Sequence, residues 1–564
     1  MAFGEFKLFS KRTIIPISIS ILAFSACSFF SAKSKTSEFG KGKQHVTESN
    51  DRVDQSGRTY LPSKTVDLRP LRTDQIINTV NEVFGTTIEE SSIQDADLRL
   101  VAENAEPDAS GSFSEKRWKA IIKAAKFLAT TVAYKSEKVR KIVEESESPR
   151  ECAKRVYQEF SSSLLRPRGL IVSFDEFLVW DEKIAWNQDA AVFVLSALFS
   201  SPKFWNLIAL PKQQESVSET GQASLDSSSL LWRTSLFLWR SAPDLESLAA
   251  ESKGEGFDLS QWMNAAVDNE KSRRSWDRFV SSWLGLDGLD LLQKGQDVYP
   301  EFDSGYVKLL KEEVLLNSNR VFSEDRDIRE LIHSKDWLIP EKLQQYYLSS
   351  SSDGPVQKRT GFLSSGAFAA LTSGPYNSKP SSRGHFVMQK FLCEKVPPPP
   401  AGVGEIPAEL ANRALSPRQK AEFHSKNQPC AGCHALMDPI GFLLEPLDAM
   451  GRFRNDYSVL NRNGFRFGDA PIDADVRISF NGFSGSFNNI DAFSAVLAGQ
   501  RKVTECLISN YLAHVYGVSR DKISKQEVEA LSRNLFRNKM SPKTLNRLIF
   551  ALPSFSSLNS KTEP

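Results

Sequence analysis

Two cysteines three positions apart with a histidine directly after them, Cys430-Ala431-Gly432-Cys433-His434, restrict this chain more than any other feature of its sequence. A haem carries two vinyl groups, and two cysteines at this spacing on one turn can each form a thioether with one of them. The adjacent imidazole then reaches the iron as its proximal ligand. The pattern therefore predicts covalent haem c and its iron at Cys430, Cys433 and His434. Three competitors use the same residues. A thioredoxin-like redox pair needs a surrounding βαβ pattern, and none is read here. A zinc site needs a second Cys or His pair nearby, and His424 is the one such residue close in sequence. The third is a plain Cys430–Cys433 disulfide.

The far side of the iron is left open by the sequence. Met437 shares the proximal face of a helix with His434 and cannot round the haem edge. Met450 could reach the opposite side through a turn at Asp438-Pro439-Ile440-Gly441, and His514 could do so from a distant helix. His424 and Met388 precede the motif, and for each of these residues packing or surface exposure is the alternative. A sixth ligand favours electron transfer, whereas an open position permits chemistry on peroxide or a diatomic.

The N-terminus bears on compartment. Lys7, Lys11 and Arg12 precede an uncharged run from Thr13 to Ala26, the layout of an export signal. That run is short for a membrane span, which needs about 20 apolar residues. It closes on Phe24-Ser25-Ala26-Cys27, which resembles the bacterial lipoprotein cleavage site with Cys27 as the acylated residue; Phe24 replaces the usual Leu. Cleavage after Ala26 with a free thiol, and an uncleaved anchor, are the alternatives. Lipidation predicts attachment to the periplasmic face of a bacterial membrane.

With 71 basic and 69 acidic residues, the chain has no global electrostatic reason to bind nucleic acid. Its 37 Phe and 10 Trp imply a large buried surface. Residues 1–26 read as the export signal and 27–64, rich in Ser, Lys and Thr, as a flexible tether. Helical modules are expected over 65–210, a central helical module over 230–402, a haem segment over 403–480 and a C-terminal helical module over 485–564. Pro211 to Ser229 reads as a surface loop or linker, and Pro397 to Pro400 as an extended strut. Helical stripes run through Trp118, Ile121, Ala125, Leu128 and Ala129, and through Trp276, Phe279, Val280, Trp283 and Leu284. Leu230 to Trp239 reads as a buried helix, and Ile490 to Tyr516 and Lys525 to Leu552 as two long amphipathic helices. Arg477 to Phe480, followed by Asn481-Gly482, suggests a short hairpin. The fold class is therefore mainly α: a multi-module helical scaffold, a small cytochrome c-like haem lobe and few short strands.

The residues after the haem motif resemble the planctomycete-type cytochrome c family. That family follows its motif with Asp-Pro-x-Gly and then Glu, Asp, Gly and Arg; here these are Asp438, Pro439, Gly441, Glu445, Asp448, Gly451 and Arg454. Arg383-Gly384, Leu392-Cys393 and the proline run are similar to the module the family places just before the haem segment. Ser229 to Leu248 resembles the start of that module. Arg69 to Gly85, Cys152 to Pro167 and Val503 to Gly517 resemble three further modules. The C-terminal one departs from the usual Tyr-Ala-Leu-Gly-Arg, reading His514-Val515-Tyr516-Gly517-Val518. The resemblance implies an exported redox protein with flanking domains of unknown function.

Three cysteines remain: Cys152, Cys393 and Cys506. In an oxidising compartment, one bridge and one leftover thiol are expected. Cys393 and Cys506 flank the haem segment and form the expected pair, with three buried thiols as the alternative. Asp438, Glu445, Asp448 and Arg454 read mainly as loop-shaping groups. In this reading Asp438-Pro439 begins a turn, Gly441 allows positive φ, and the carboxylates cap helices or pair with Arg452 or Arg454. A catalytic acid/base cluster is the alternative. No Walker loop, dinucleotide fingerprint, nucleophile elbow or zinc-protease motif is present. The combined expectation is a lipid-anchored mono-haem protein passing electrons to a redox partner. A haem-dependent oxidoreductase of peroxidase or oxidase type, and a scaffold with a structural haem, are the competing functions.

Overall fold

A computed structural model describes residues 67–93, 115–165, 171–210, 212, 222–254, 256–348, 359–396, 415–425, 431–460, 465–480 and 483–559. The expected export signal at 1–26, Cys27, the expected tether at 27–64, Pro397 to Pro400, Cys430 and Asn481-Gly482 lie outside the described residues. The protein is mostly helical with short two-stranded sheets. The described residues of Met1–Arg233, Ser241–Glu255 and Leu558–Pro564 form one compact unit, and those of Thr234–Arg240 and Gly256–Ser557 form the other.

In the first unit, α1 (Thr73–Phe84) buries Ile76, Ile77, Val80, Val83 and Phe84, one apolar stripe at helical spacing. It stops at Gly85, whose φ of +66° suits a left-handed cap. Helix α2 (Glu115–Lys135) buries Ile121, Ala125, Leu128 and Ala129 and exposes Lys119, Lys123 and Lys126. Helix α3 (Pro149–Leu164) starts with Pro149 in its first turn, behind Ser148, whose side chain caps the Glu151 amide. Both α2 and α3 pack on α4 (Asn187–Ser200), and Phe84 meets Phe160 and Phe199 between these elements. Strands β1 (Asp67–Pro70) and β2 (Asn206–Ala209) pair antiparallel, with Asp67 opposite Ala209. Cys152 is a buried free thiol whose pKa burial pushes up.

The second unit has one continuous apolar core. Helix α5 (Arg273–Leu284) buries the whole stripe read from the sequence, Trp276, Phe279, Val280, Trp283 and Leu284. It packs against α6 (Ser304–Ser323). Helices α7 (Pro380–Lys390), α8 (Pro417–Ser425) and α9 (Ala431–Leu443) follow. Strands β3 (Asp456–Leu460) and β4 (Arg466–Pro471) form one hairpin, and β5 (Val476–Phe480) and β6 (Phe483–Phe487) another. In the second hairpin Phe480 pairs with Phe483, the register expected of a two-residue connection.

Four expectations change. The segment expected as a small haem lobe shares the main core: Met437, Ile440, Leu443, Leu447, Met450 and Ile478 are buried in the same cluster as Trp276 and Tyr511. Each of these apolar groups removes more surface from water in the shared core than a short segment could cover alone. The helix expected over 490–516 is two helices, α10 (Ile490–Ala498) and α11 (Arg501–Tyr516), because Gln500 takes an extended ψ of 128°. The next is also two, α12 (Lys525–Arg537) and α13 (Pro542–Phe550), since Pro542 has no N–H to continue a helix and Ser541 caps a new one. Finally, the stretch expected as a linker up to Ser229 ends sooner, with a helix beginning at Ser227.

Candidate haem site

Helix α9 opens within the haem motif and runs through Pro439, where the sequence suggests a turn. A proline inside a helix leaves the carbonyl four residues earlier without its donor. That residue is Ala435, which is exposed, so water can donate in place of the missing amide. Because the helix continues, His434 and Asp438 are one turn apart on the same face. The two Asp438 oxygens lie 3.1 and 3.0 Å from His434 Nδ1. Ser381 in the first turn of α7 donates to Asp438 Oδ1 at 2.7 Å, and its Oγ lies 3.4 Å from the same Nδ1. The carboxylate is nearly enclosed, with its side chain 5% exposed against 13% for the imidazole.

A close crossing of α7 and α9 holds this arrangement. A Cβ on Gly384 would stand 1.8 Å from the Met437 carbonyl oxygen, and one on Gly441 would stand 2.0 Å from that of Pro380. Each helix thus spends a glycine to let the other's backbone in. Gly441 is helical and serves close approach, rather than the positive φ suggested by the sequence.

Behind the crossing is a buried ion pair. Arg383 Nη1 donates to Glu445 Oε1 at 3.0 Å, and both side chains are fully enclosed. The same nitrogen donates to the Leu444 carbonyl at 2.6 Å, while Ser378 donates to Glu445 Oε2 at 2.6 Å. Arg454 approaches Glu445 at 3.6 Å. Asp448 accepts from Arg452 Nε at 2.7 Å and from the Met450 and Arg452 amides at 2.8 Å each, closing the turn that follows α9. Glu445 and Asp448 therefore do the loop-shaping work read from the sequence, with Arg454 and Arg452 as partners. Asp438 instead faces the histidine.

Cys433 is a half-buried free thiol beside His434, and Cys430 lies outside the described residues. Met450 is 1% exposed in the core, and Tyr306 donates to its backbone carbonyl at 2.6 Å. His514 stands on α11 with its ring stacked on Tyr511 and edge-on to Phe279. The structure thus gathers Cys433, His434, Asp438 and Ser381, and gives Met450 and His514 other neighbours. Met388 on α7 and Met437 on α9 are buried, and His424 belongs to α8. Cys393 and Cys506 are joined by a disulfide with Cα atoms 5.4 Å apart, linking the end of α7 to α11. Ser381 carried no signal in the sequence. The Asp438 contact was readable as an i, i+4 pair, once Pro439 is allowed inside a helix.

Residues 225–348 match the family model described as PSD4, a protein of unknown function (DUF1592), and residues 359–457 match PSCyt3, a protein of unknown function (DUF1588). Both families are typical of planctomycete cytochrome c-type proteins. The chain carries one domain of each. The PSCyt3 stretch takes in α7, the haem motif and the turn at Asp448 together. Comparison with curated proteins and with solved structures returns no match.

The residues present suit a haem. A c-type haem asks the protein for thiols and one imidazole nitrogen, and the motif supplies both at the start of a helix. Carboxylate contact at Nδ1 is the usual support for a metal-bound histidine, and it leaves iron ligation to Nε2. Leu436 on α9 is 40% exposed and Phe423 on the packed neighbour α8 is 45% exposed, apolar surface of the kind a porphyrin covers. Among the described residues no group of three or more His, Cys, Asp or Glu side chains is gathered to hold a bare metal ion. Nor, among them, is any helix long and apolar enough to cross a membrane.

Proposed function

We propose that this chain is an exported, lipid-anchored mono-haem c-type protein that transfers electrons at the periplasmic face of a bacterial membrane. Cys430 and Cys433 would each add a thiol S–H across one haem vinyl group, and His434 would ligate the iron. Cys27 would carry the lipid, and the partner would be another redox protein. When bound, the haem supplies one-electron exchange between ferric and ferrous iron. The chain's own part is to carry the two thiols and hold the imidazole in place. The observation that carries this reading is the Cys433-His434 pair on the first turns of α9, its imidazole braced by Asp438 and Ser381.

The test is expression of the full chain with a c-type maturation system, followed by haem staining after denaturation. Colour is expected to stay with the polypeptide, to be lost in the Cys430→Ala, Cys433→Ala double variant, and to change spectrum in His434→Ala. A colourless wild type with both thiols open to alkylation overturns the reading. Mass analysis of the mature N-terminus tests acylation at Cys27.

A second reading, a haem enzyme with an open distal position, is favoured by the core placement of Met450 and the aromatic packing of His514. A high-spin, ligand-binding spectrum selects it, and a low-spin six-coordinate spectrum selects electron transfer.

A further inference from the structure

We propose that Asp438 is the positioning residue that orients His434 and loads the imidazole with electron density, holding the haem iron at a lower reduction potential than an imidazole without a carboxylate partner would. The inference rests on the haem reading above.

Three observations lead to it. First, both Asp438 oxygens stand at hydrogen-bond distance from one atom, His434 Nδ1. With Nδ1 carrying the proton, the tautomer is set and Nε2 presents its lone pair. Second, the carboxylate is almost wholly enclosed. An exposed i, i+4 pair stabilises a helix only weakly. Taking a carboxylate out of water costs more than that, so helix stability alone does not account for placing Asp438 here. Third, Ser381 fixes the carboxylate from another element, donating to Oδ1 from the first turn of α7. The α7–α9 glycine crossing lets the two helices approach closely enough for this contact.

The electronic consequence follows from charge. A carboxylate accepting a hydrogen bond from Nδ1–H makes the ring a stronger donor, and a stronger axial donor favours ferric over ferrous iron. Removing the negative charge weakens that preference while leaving thioether attachment untouched.

The test uses the matured full chain and a spectroelectrochemical redox titration. Asp438→Asn is expected to keep its covalent haem and shift the midpoint to more positive potential. Asp438→Glu is expected to return part of that shift. Ser381→Ala, which loosens the carboxylate without removing it, is expected to move the midpoint in the same direction by a smaller amount, and it serves if Asp438→Asn fails to fold. Haem-bearing variants whose midpoints equal that of the wild type overturn the assignment while the haem reading stands. A wild type without covalent haem removes both.

Discussion

Arg383 and Glu445 sit 62 residues apart in the chain and meet with neither side chain touching water. Such a pair has lost the hydration of two ions, so its net contribution to stability is small. Removing one partner is another matter, because the remaining charge is stranded. Glu445→Gln is expected to lower stability by about 3–5 kcal/mol. Combining it with Arg383→Met is expected to cost less than the sum of the two single changes, because no buried charge remains. Urea unfolding of the four proteins measures the coupling, and strict additivity would show that the pair does not act as one. The Asp448 carboxylate sits differently. It is a turn-closing acceptor for three donors on Met450 and Arg452, and pairing with Arg452 is one of the roles read for it from the sequence.

At the scale of the element, helical glycines on α7 and α9 divide into two kinds. Replacing an ordinary helical glycine by alanine gains up to about 1 kcal/mol. Gly432 on α9 has open space where its Cβ would go, so Gly432→Ala is expected to gain a few tenths to about 1 kcal/mol. Gly384 and Gly441 face backbone atoms inside 2.1 Å, and a carbonyl cannot swing aside as a side chain can. There overpacking dominates. Gly384→Ala is expected to destabilise by about 1–3 kcal/mol or more, despite its better helix propensity. Opposite signs for the Gly432 and Gly384 variants in thermal unfolding check this, and like signs would remove the tight crossing as the reason for the glycine. Propensity alone cannot separate these positions, because the distinction lies in the neighbouring helix.

On the scale of the molecule, the Cys393–Cys506 disulfide closes a loop across a sequence separation of 113. The haem motif, α9 with Gly441 and both hairpins lie inside that loop, and α7 with Gly384 lies just before it. Closing it removes unfolded-state entropy, and a native bridge of this kind is worth about 2–5 kcal/mol. Cys393→Ser with Cys506→Ser is expected to lower the urea midpoint by a corresponding amount. The same loss is expected when the wild type is unfolded in reductant. Equal midpoints with and without reductant would mean that the bridge does not restrict the unfolded chain. The core supports the same view of this unit. Its apolar residues run from Phe237 to Phe555 in one cluster, so the haem segment depends on helices far from it in sequence.

What the sequence determined by itself is local: helix stripes such as Trp276 to Leu284, the short hairpin after Arg477 to Phe480 and the spacing of the haem motif. These follow from periodicity and from the geometry of single residues, which a short window contains. Tertiary structure decided the rest. It carried α9 through Pro439, gave Gly441 its purpose, brought Ser381 to Asp438 and Arg383 to Glu445, and merged an expected lobe into a shared core. Each of these depends on a surface supplied by another part of the chain, and burial there outweighs the local preference of the residue that receives it.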